Sequence, residues 1–122
     1  EAQLIRDMSI CHLPPSEMVA EQLQAAIGGR SVYVHIDCDV LNPGIVPTDY
    51  VHENGLSLDQ LHEACVAIAR NEIIGAEVAE FQCYADYGSP PVSPAHLVRA
   101  LMPLLHGVVR GSDGPLRSDT CH

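Results

Sequence analysis

Ser31-Val-Tyr-Val-His-Ile36 followed at once by Asp37-Cys38-Asp39 is the stretch that decides the fold. Its first six residues are mostly β-branched, aromatic or aliphatic, the composition of a strand buried on both faces, and an acidic pair closes its carboxyl end. Immediately upstream, Gly28-Gly29 stops a helix opened by Ser16 as N-cap, in which Met18, Val19, Leu23, Ala26 and Ile27 recur at helical spacing. Downstream, a polar connection from Asn42 to Gly55 leads to Ser57 and, three residues on, Gln60. That spacing is a capping box and predicts a second helix through about Arg70.

Further out, Ala2 to Asp7 reads as a helical turn and Met8-Ser-Ile-Cys-His12 as a short strand ended by Leu13-Pro14-Pro15. On the other side, Ile73 to Phe81 reads as a strand whose apolar character Glu77 and Glu80 interrupt. Ser93-Pro94 then opens a last helix with Leu97, Val98, Leu101, Leu104, Leu105 and Val108 on its apolar face and Pro103 placed to kink it. Strand alternating with helix three times calls for an α/β fold with a parallel sheet and right-handed crossovers, in which ligands sit beyond the carboxyl ends of the strands. Three strands leave two edges open, so further strands are expected from another chain segment or a partner. At 122 residues the chain is one unit, with an α/β domain over 1–110 and a flexible tail over 111–122.

The apolar share of 47% and charged share of 18% argue against disorder. A net charge of −10, with all six basic residues arginine, opposes binding to nucleic acid or an anionic membrane. It suits a cation or a cationic substrate, although solubility alone accounts for many acidic surfaces. The five cysteines follow no close spacing, so neither a disulfide framework nor a thiolate zinc site is indicated, and a reducing cytoplasm is the expected location. No signal peptide and no membrane span is read.

On an extended strand Asp37 and Asp39 project to one side and Cys38 to the other. Two carboxylates that close repel unless a cation lies between them, so a D-x-D at a strand end points to a divalent metal or an acid/base pair. The competing reading is that the aspartates cap a neighbouring helix or line a solvated loop. His35, two residues earlier, is a candidate for supporting the pair, with an ordinary strand histidine as the blander reading. Tyr84 and Tyr87 are candidates to border a pocket, and Glu77 reads as structural.

The segment Val34-His-Ile-Asp37-Cys-Asp39-Val-Leu-Asn-Pro43, with Pro47 and Gly55-Leu56-Ser57 after it, resembles the second metal-ligand signature of the arginase, agmatinase and formiminoglutamase family of ureohydrolases. Gly75-Ala-Glu77-Val-Ala-Glu80 resembles that family's next strand, which ends in an acidic residue facing the substrate. Pro47-Thr48-Asp49-Tyr50 is similar to the branch that hydrolyses N-hydroxy-arginine. The resemblance implies the C-terminal half of a three-layer αβα fold of the arginase/deacetylase type. It further implies that Asp37 bridges two manganese ions, that Asp39 chelates one of them, and that Glu80 holds a small guanidino substrate, with urea or a urea analogue and an amine as products.

Departures from the pattern leave the substrate open. Asn42 replaces the family's aspartate before proline, Asp49 to Asn54 replaces a Gly- and Thr-rich loop, and Phe81-Gln82-Cys83-Tyr84 replaces Asn-Pro. The histidine and the D-x-H-x-x-x-D cluster of the family's N-terminal half match nothing here. The chain alone is therefore expected to be inactive, and to assemble either as a homo-oligomer or with a missing N-terminal half. Two rivals stand beside this reading. Ile36-Asp37-Cys-Asp39-Val-Leu41 also fits a magnesium phosphatase of the haloacid-dehalogenase type, which would need a downstream basic residue and a later acidic pair. A non-catalytic, self-associating fragment is the other.

Overall fold

The computed structural model describes residues 2–112. Along the chain run α1 (Ala2–Asp7), α2 (Val19–Ile27), β1 (Val32–Asp37), α3 (Leu58–Ile68), β2 (Ile73–Ala79) and α4 (Ala95–Ser112), with a short 3-10 turn at Cys38–Val40 directly after β1. β1 and β2 pair in parallel, in register from Tyr33 opposite Gly75 to Asp37 opposite Ala79. The intervening α3 makes the crossover that a parallel pair requires.

Alternation along β1 buries Val34 and Ile36, and Cys38 beyond them continues into the core. They meet Leu61 and Cys65 of α3, four residues apart and so on one helix face, and Leu97, Leu101 and Leu104 of α4. Leu104 and Cys65 are completely buried, and removing one leucine side chain from water stabilises the fold by about 2 kcal/mol. Gly107 lets α4 come down on β2, because a Cβ there would stand 2.6 Å from Ile73 Cδ1. On the opposite face of the sheet Tyr33, His35 and Glu77 are exposed. The described residues thus form one helix layer and part of the sheet.

Several boundaries follow local chemistry. Gly28 ends α2 in the left-handed region at φ 59°, its N–H bonded to the Gln24 carbonyl. The capping box of α3 is complete: Ser57 Oγ accepts from the Gln60 N–H at 3.1 Å and Gln60 Oε1 from the Ser57 N–H at 2.9 Å. At the start of α4, Ser93 Oγ accepts from the Ala95 N–H, and the helix continues through Pro103 to Ser112.

Other expectations are corrected. Met8 to His12 is not a strand: Ser9 has φ 55°, and Met8 and Ile10 stay exposed. A strand is stabilised by its neighbours, and no described segment pairs with these residues, so the sheet has two strands instead of three. Ser16 is not the cap of α2; its hydroxyl accepts from Met18 N–H, and Met18 occupies the cap position. The α/β unit runs past 110, since Gly111 and Ser112 belong to α4 and Gly111 lies close against the Ile73 carbonyl. The tail expected over the remaining positions, 113–122, lies outside the described residues. No helix among the described residues is long and apolar enough to cross a membrane.

Candidate active site

The strand stops at Asp37 because that side chain turns the chain. Asp37 remains extended (φ −93°, ψ 125°) while its Oδ1 accepts the Asp39 N–H at 3.2 Å, capping the 3-10 turn of Cys38–Val40. The expected alternation of Asp37, Cys38 and Asp39 along one extended strand is therefore replaced by a tight turn. The outcome resembles the expectation all the same: Cys38 is buried, and Asp37 and Asp39 line one cavity of about 720 Å³. Capping and cavity lining, the two competing readings of the pair, coexist at Asp37.

That cavity lies along β1 on the side away from β2. Its lining takes Val34 and Ile36 from β1 and Leu61, Cys65 and Ile68 from α3, with no residue of β2 or α4. His12, His35, His52 and Glu53 also border it. His52 Nε2 stands 3.5 Å from Asp39 Oδ2. Nothing in the spacing of the sequence marks His52. It reaches Asp39 because the loop returns on itself: Leu56 N–H bonds Val40 O at 2.8 Å and Asn42 N–H bonds Leu56 O at 2.9 Å. Gly55 makes that return possible, since a Cβ there would lie 2.5 Å from the Val40 carbonyl oxygen.

Glu80 sits one residue beyond β2 at φ 62°, exposed, and does not line the cavity of the two aspartates. It nevertheless belongs to the same neighbourhood. Burial pushes the Cys38 thiol pKa up, and the charges of Asp37, Asp39 and Glu80 push it further in the same direction. The segment after Glu80 is tied to the loop after Asp39 by the Gln82 N–H to the Pro47 carbonyl at 3.0 Å, and by the Gln82 side chain to Asp49.

Of the remaining candidates, His35 borders that cavity and Glu77, Tyr84 and Tyr87 do not. His35 Nδ1 pairs with Glu77 Oε1 at 2.8 Å across the two strands, on the exposed face of the sheet. Tyr84 and Tyr87 are exposed and border neither aspartate's cavity. Carboxylate oxygens are hard donors suited to manganese, magnesium or calcium, so Asp37 and Asp39 fit such a cation in kind. They are few in number: among the described residues no group of three or more His, Cys, Asp and Glu side chains is placed to hold a metal ion.

Residues 3–102 match the sequence profile of the Arginase family. The chain is 37% identical over 86 residues to the N(omega)-hydroxy-L-arginine amidinohydrolase of Streptomyces lavendulae, a match covering 70% of this chain and 32% of that protein. It is 38% identical over 80 residues to an agmatinase of Halalkalibacterium halodurans, covering 62% of this chain and 28% of the other. The crystal structure of a hypothetical agmatinase from Burkholderia thailandensis superimposes with a TM-score of 0.62 at 25% identity, over 79% of this chain and 30% of that one. The chain thus spans about a third of the length of the curated relatives it matches.

Proposed function

Because the chain belongs to the arginase family, we propose that it supplies Asp37 and Asp39 to the two-metal site of a manganese-dependent amidinohydrolase acting on an arginine-like guanidino compound. The observation that carries this reading is that Asp37 and Asp39, at the carboxyl end of β1, line one cavity. Asp37 Oδ1 is engaged by the Asp39 amide, which orients the carboxylate and leaves Oδ2 for a cation. Asp39 carries His52 against one oxygen, an arrangement that orients metal-ligating carboxylates elsewhere. Bound there, a metal pair would supply Lewis acidity and lower the pKa of a bound water toward neutrality. Glu80, one residue beyond the end of β2, offers a charge-assisted hydrogen bond to a guanidinium. Urea, or a urea analogue, and an amine leave.

With two ligands in hand, this chain alone does not turn over substrate, and the complete site requires either a homo-oligomer or the remainder of an arginase-type sheet against the open edge of β1. The alternative, a non-catalytic fragment that self-associates through that edge, is favoured by the sheet's having two strands among the described residues. Calorimetric titration of the purified chain with manganese, beside an Asp37→Asn, Asp39→Asn variant, tests the metal role. Binding lost in the variant supports it; identical heats in both proteins refute it. Urea release from the pure chain with manganese, tried with arginine, agmatine and N-hydroxy-arginine, would overturn its inactivity in isolation.

A further inference from the structure

The molecule carries a second concavity, unrelated to the aspartates, between the C-terminal halves of α3 and α4. It measures about 700 Å³, within the range of small-molecule sites. Val66, Ala69 and Pro103 give it an apolar floor, and Arg70, His106 and Arg110 stand around it. Among the described residues no acidic side chain lines it, in a chain whose net charge is −10. The groove also occupies the opposite pole from the aspartates. α3 begins just after the loop that returns to Asp39 and ends at the start of β2, and α4 presses Gly107 and Gly111 against Ile73 there.

Two arginines near helix C-termini have an ordinary explanation, since a cation there complements the helix dipole and its free carbonyls. Arg30 shows what that role looks like in this protein: its Nε donates to the Ile27 carbonyl at 2.9 Å and its Nη2 to the Ala26 carbonyl at 2.6 Å. Arg70 and Arg110 do neither. Among the described residues they donate no side-chain hydrogen bond and form no ion pair, and His106 has no partner either. Two guanidiniums left unpaired over one apolar floor, in a chain with sixteen carboxylates and six arginines, are arranged for an external anion.

We propose that this groove binds a small oxyanionic ligand, a phosphate or a polycarboxylate on an aliphatic body, with Arg70 and Arg110 taking the anionic groups and Val66, Ala69 and Pro103 the aliphatic part. The site is independent of the amidinohydrolase reading.

The test is a proton–nitrogen NMR titration of the whole labelled chain, with inorganic phosphate in one arm and citrate in the other, at constant ionic strength. The expected result is saturable shifts at Val66, Ala69, Arg70, His106 and Arg110 at or below roughly millimolar ligand. The arm that saturates identifies the anion as phosphate or carboxylate. An Arg70→Gln, Arg110→Gln variant weakens binding about tenfold or more, while Arg99→Gln leaves it unchanged. Unsaturable drift in both arms, or equal affinity in the double variant, overturns the proposal. Should that variant lose its dispersed spectrum, the guanidinium Nε resonances of the unaltered chain decide: those of Arg70 and Arg110 move on ligand addition, or the site is refuted.

Discussion

Cys65 makes the stability of this protein sensitive to alkali in a defined window. Its side chain is completely buried under β1 and α4, and burial raises its pKa from 9.0 to about 11. In the unfolded chain the thiol ionises near its ordinary value, so below about pH 9 both states are protonated and the contribution to stability is fully present. Between about 9 and 11 only the unfolded state releases the proton, and stability falls by about 1.4 kcal/mol per pH unit. The two units of separation amount to about 3 kcal/mol, a large part of the 5–15 kcal/mol that holds a domain together. Above pH 11 both states are ionised and the loss levels off. Cys38, raised by its own burial and by Asp37, Asp39 and Glu80, acts in the same sense. Replacing Cys65 by alanine isolates its share. The variant is expected to be less stable by about 1–2 kcal/mol at neutral pH, from lost packing, but to lack this part of the alkaline slope. Urea unfolding followed by far-ultraviolet circular dichroism from pH 7 to 11.5, with a reductant present, measures both curves. Their difference should be flat below about pH 9 and move by about 3 kcal/mol in the variant's favour by pH 11, reversing its sign. Parallel curves across that interval would show that the thiol is not sequestered and that the packing described here is wrong.

Ser57→Ala removes the acceptor for the Gln60 N–H while leaving the fold of the loop intact. It should lower stability by about 1 kcal/mol and the melting temperature by roughly 3–6 °C; an unchanged thermal melt would show that the capping box contributes nothing. Gly55→Ala drives a methyl group into the Val40 and Leu41 backbone at 2.5–2.8 Å. A loss of about 1–3 kcal/mol is expected, with the nuclear Overhauser contacts between Leu41 and Leu56 weakened, and full retention of both stability and contacts would argue against the loop return that brings His52 to Asp39.

Local signals were reliable where their causes are local. The capping box at Ser57 and Gln60, the glycine stop at Gly28 and the serine before α4 all appear in the structure at the residues that the sequence indicates. Each depends on hydrogen bonds spanning a few residues, which the chain can make whatever surrounds it. Met8 to His12 failed as a strand for the converse reason, because a strand's backbone groups need a neighbour that these residues do not find. Ser16 shows a smaller failure: a hydroxyl near a helix start has several amides within reach, and the structure uses that of Met18, one residue before the helix begins.

The sequence by itself determined the order of the two strands and the helices around them, the family, and the placing of Asp37 and Asp39 at the carboxyl end of β1, since periodicity, caps and a short motif are written in neighbouring residues. Only the tertiary structure decided how those aspartates share a cavity. The pleat does not do it; a tight turn capped by Asp37 does, and Asp37's hydrogen bond to the Asp39 amide competes with continued extension. It likewise decided that His52 stands beside Asp39, that the segment after Glu80 is tied to the loop after Asp39, and that Arg70 and Arg110 share one groove. These neighbours are far apart along the chain, and their meeting depends on strand pairing, on a loop that Gly55 allows to close, and on α4 settling onto β2, which are properties of the packed molecule.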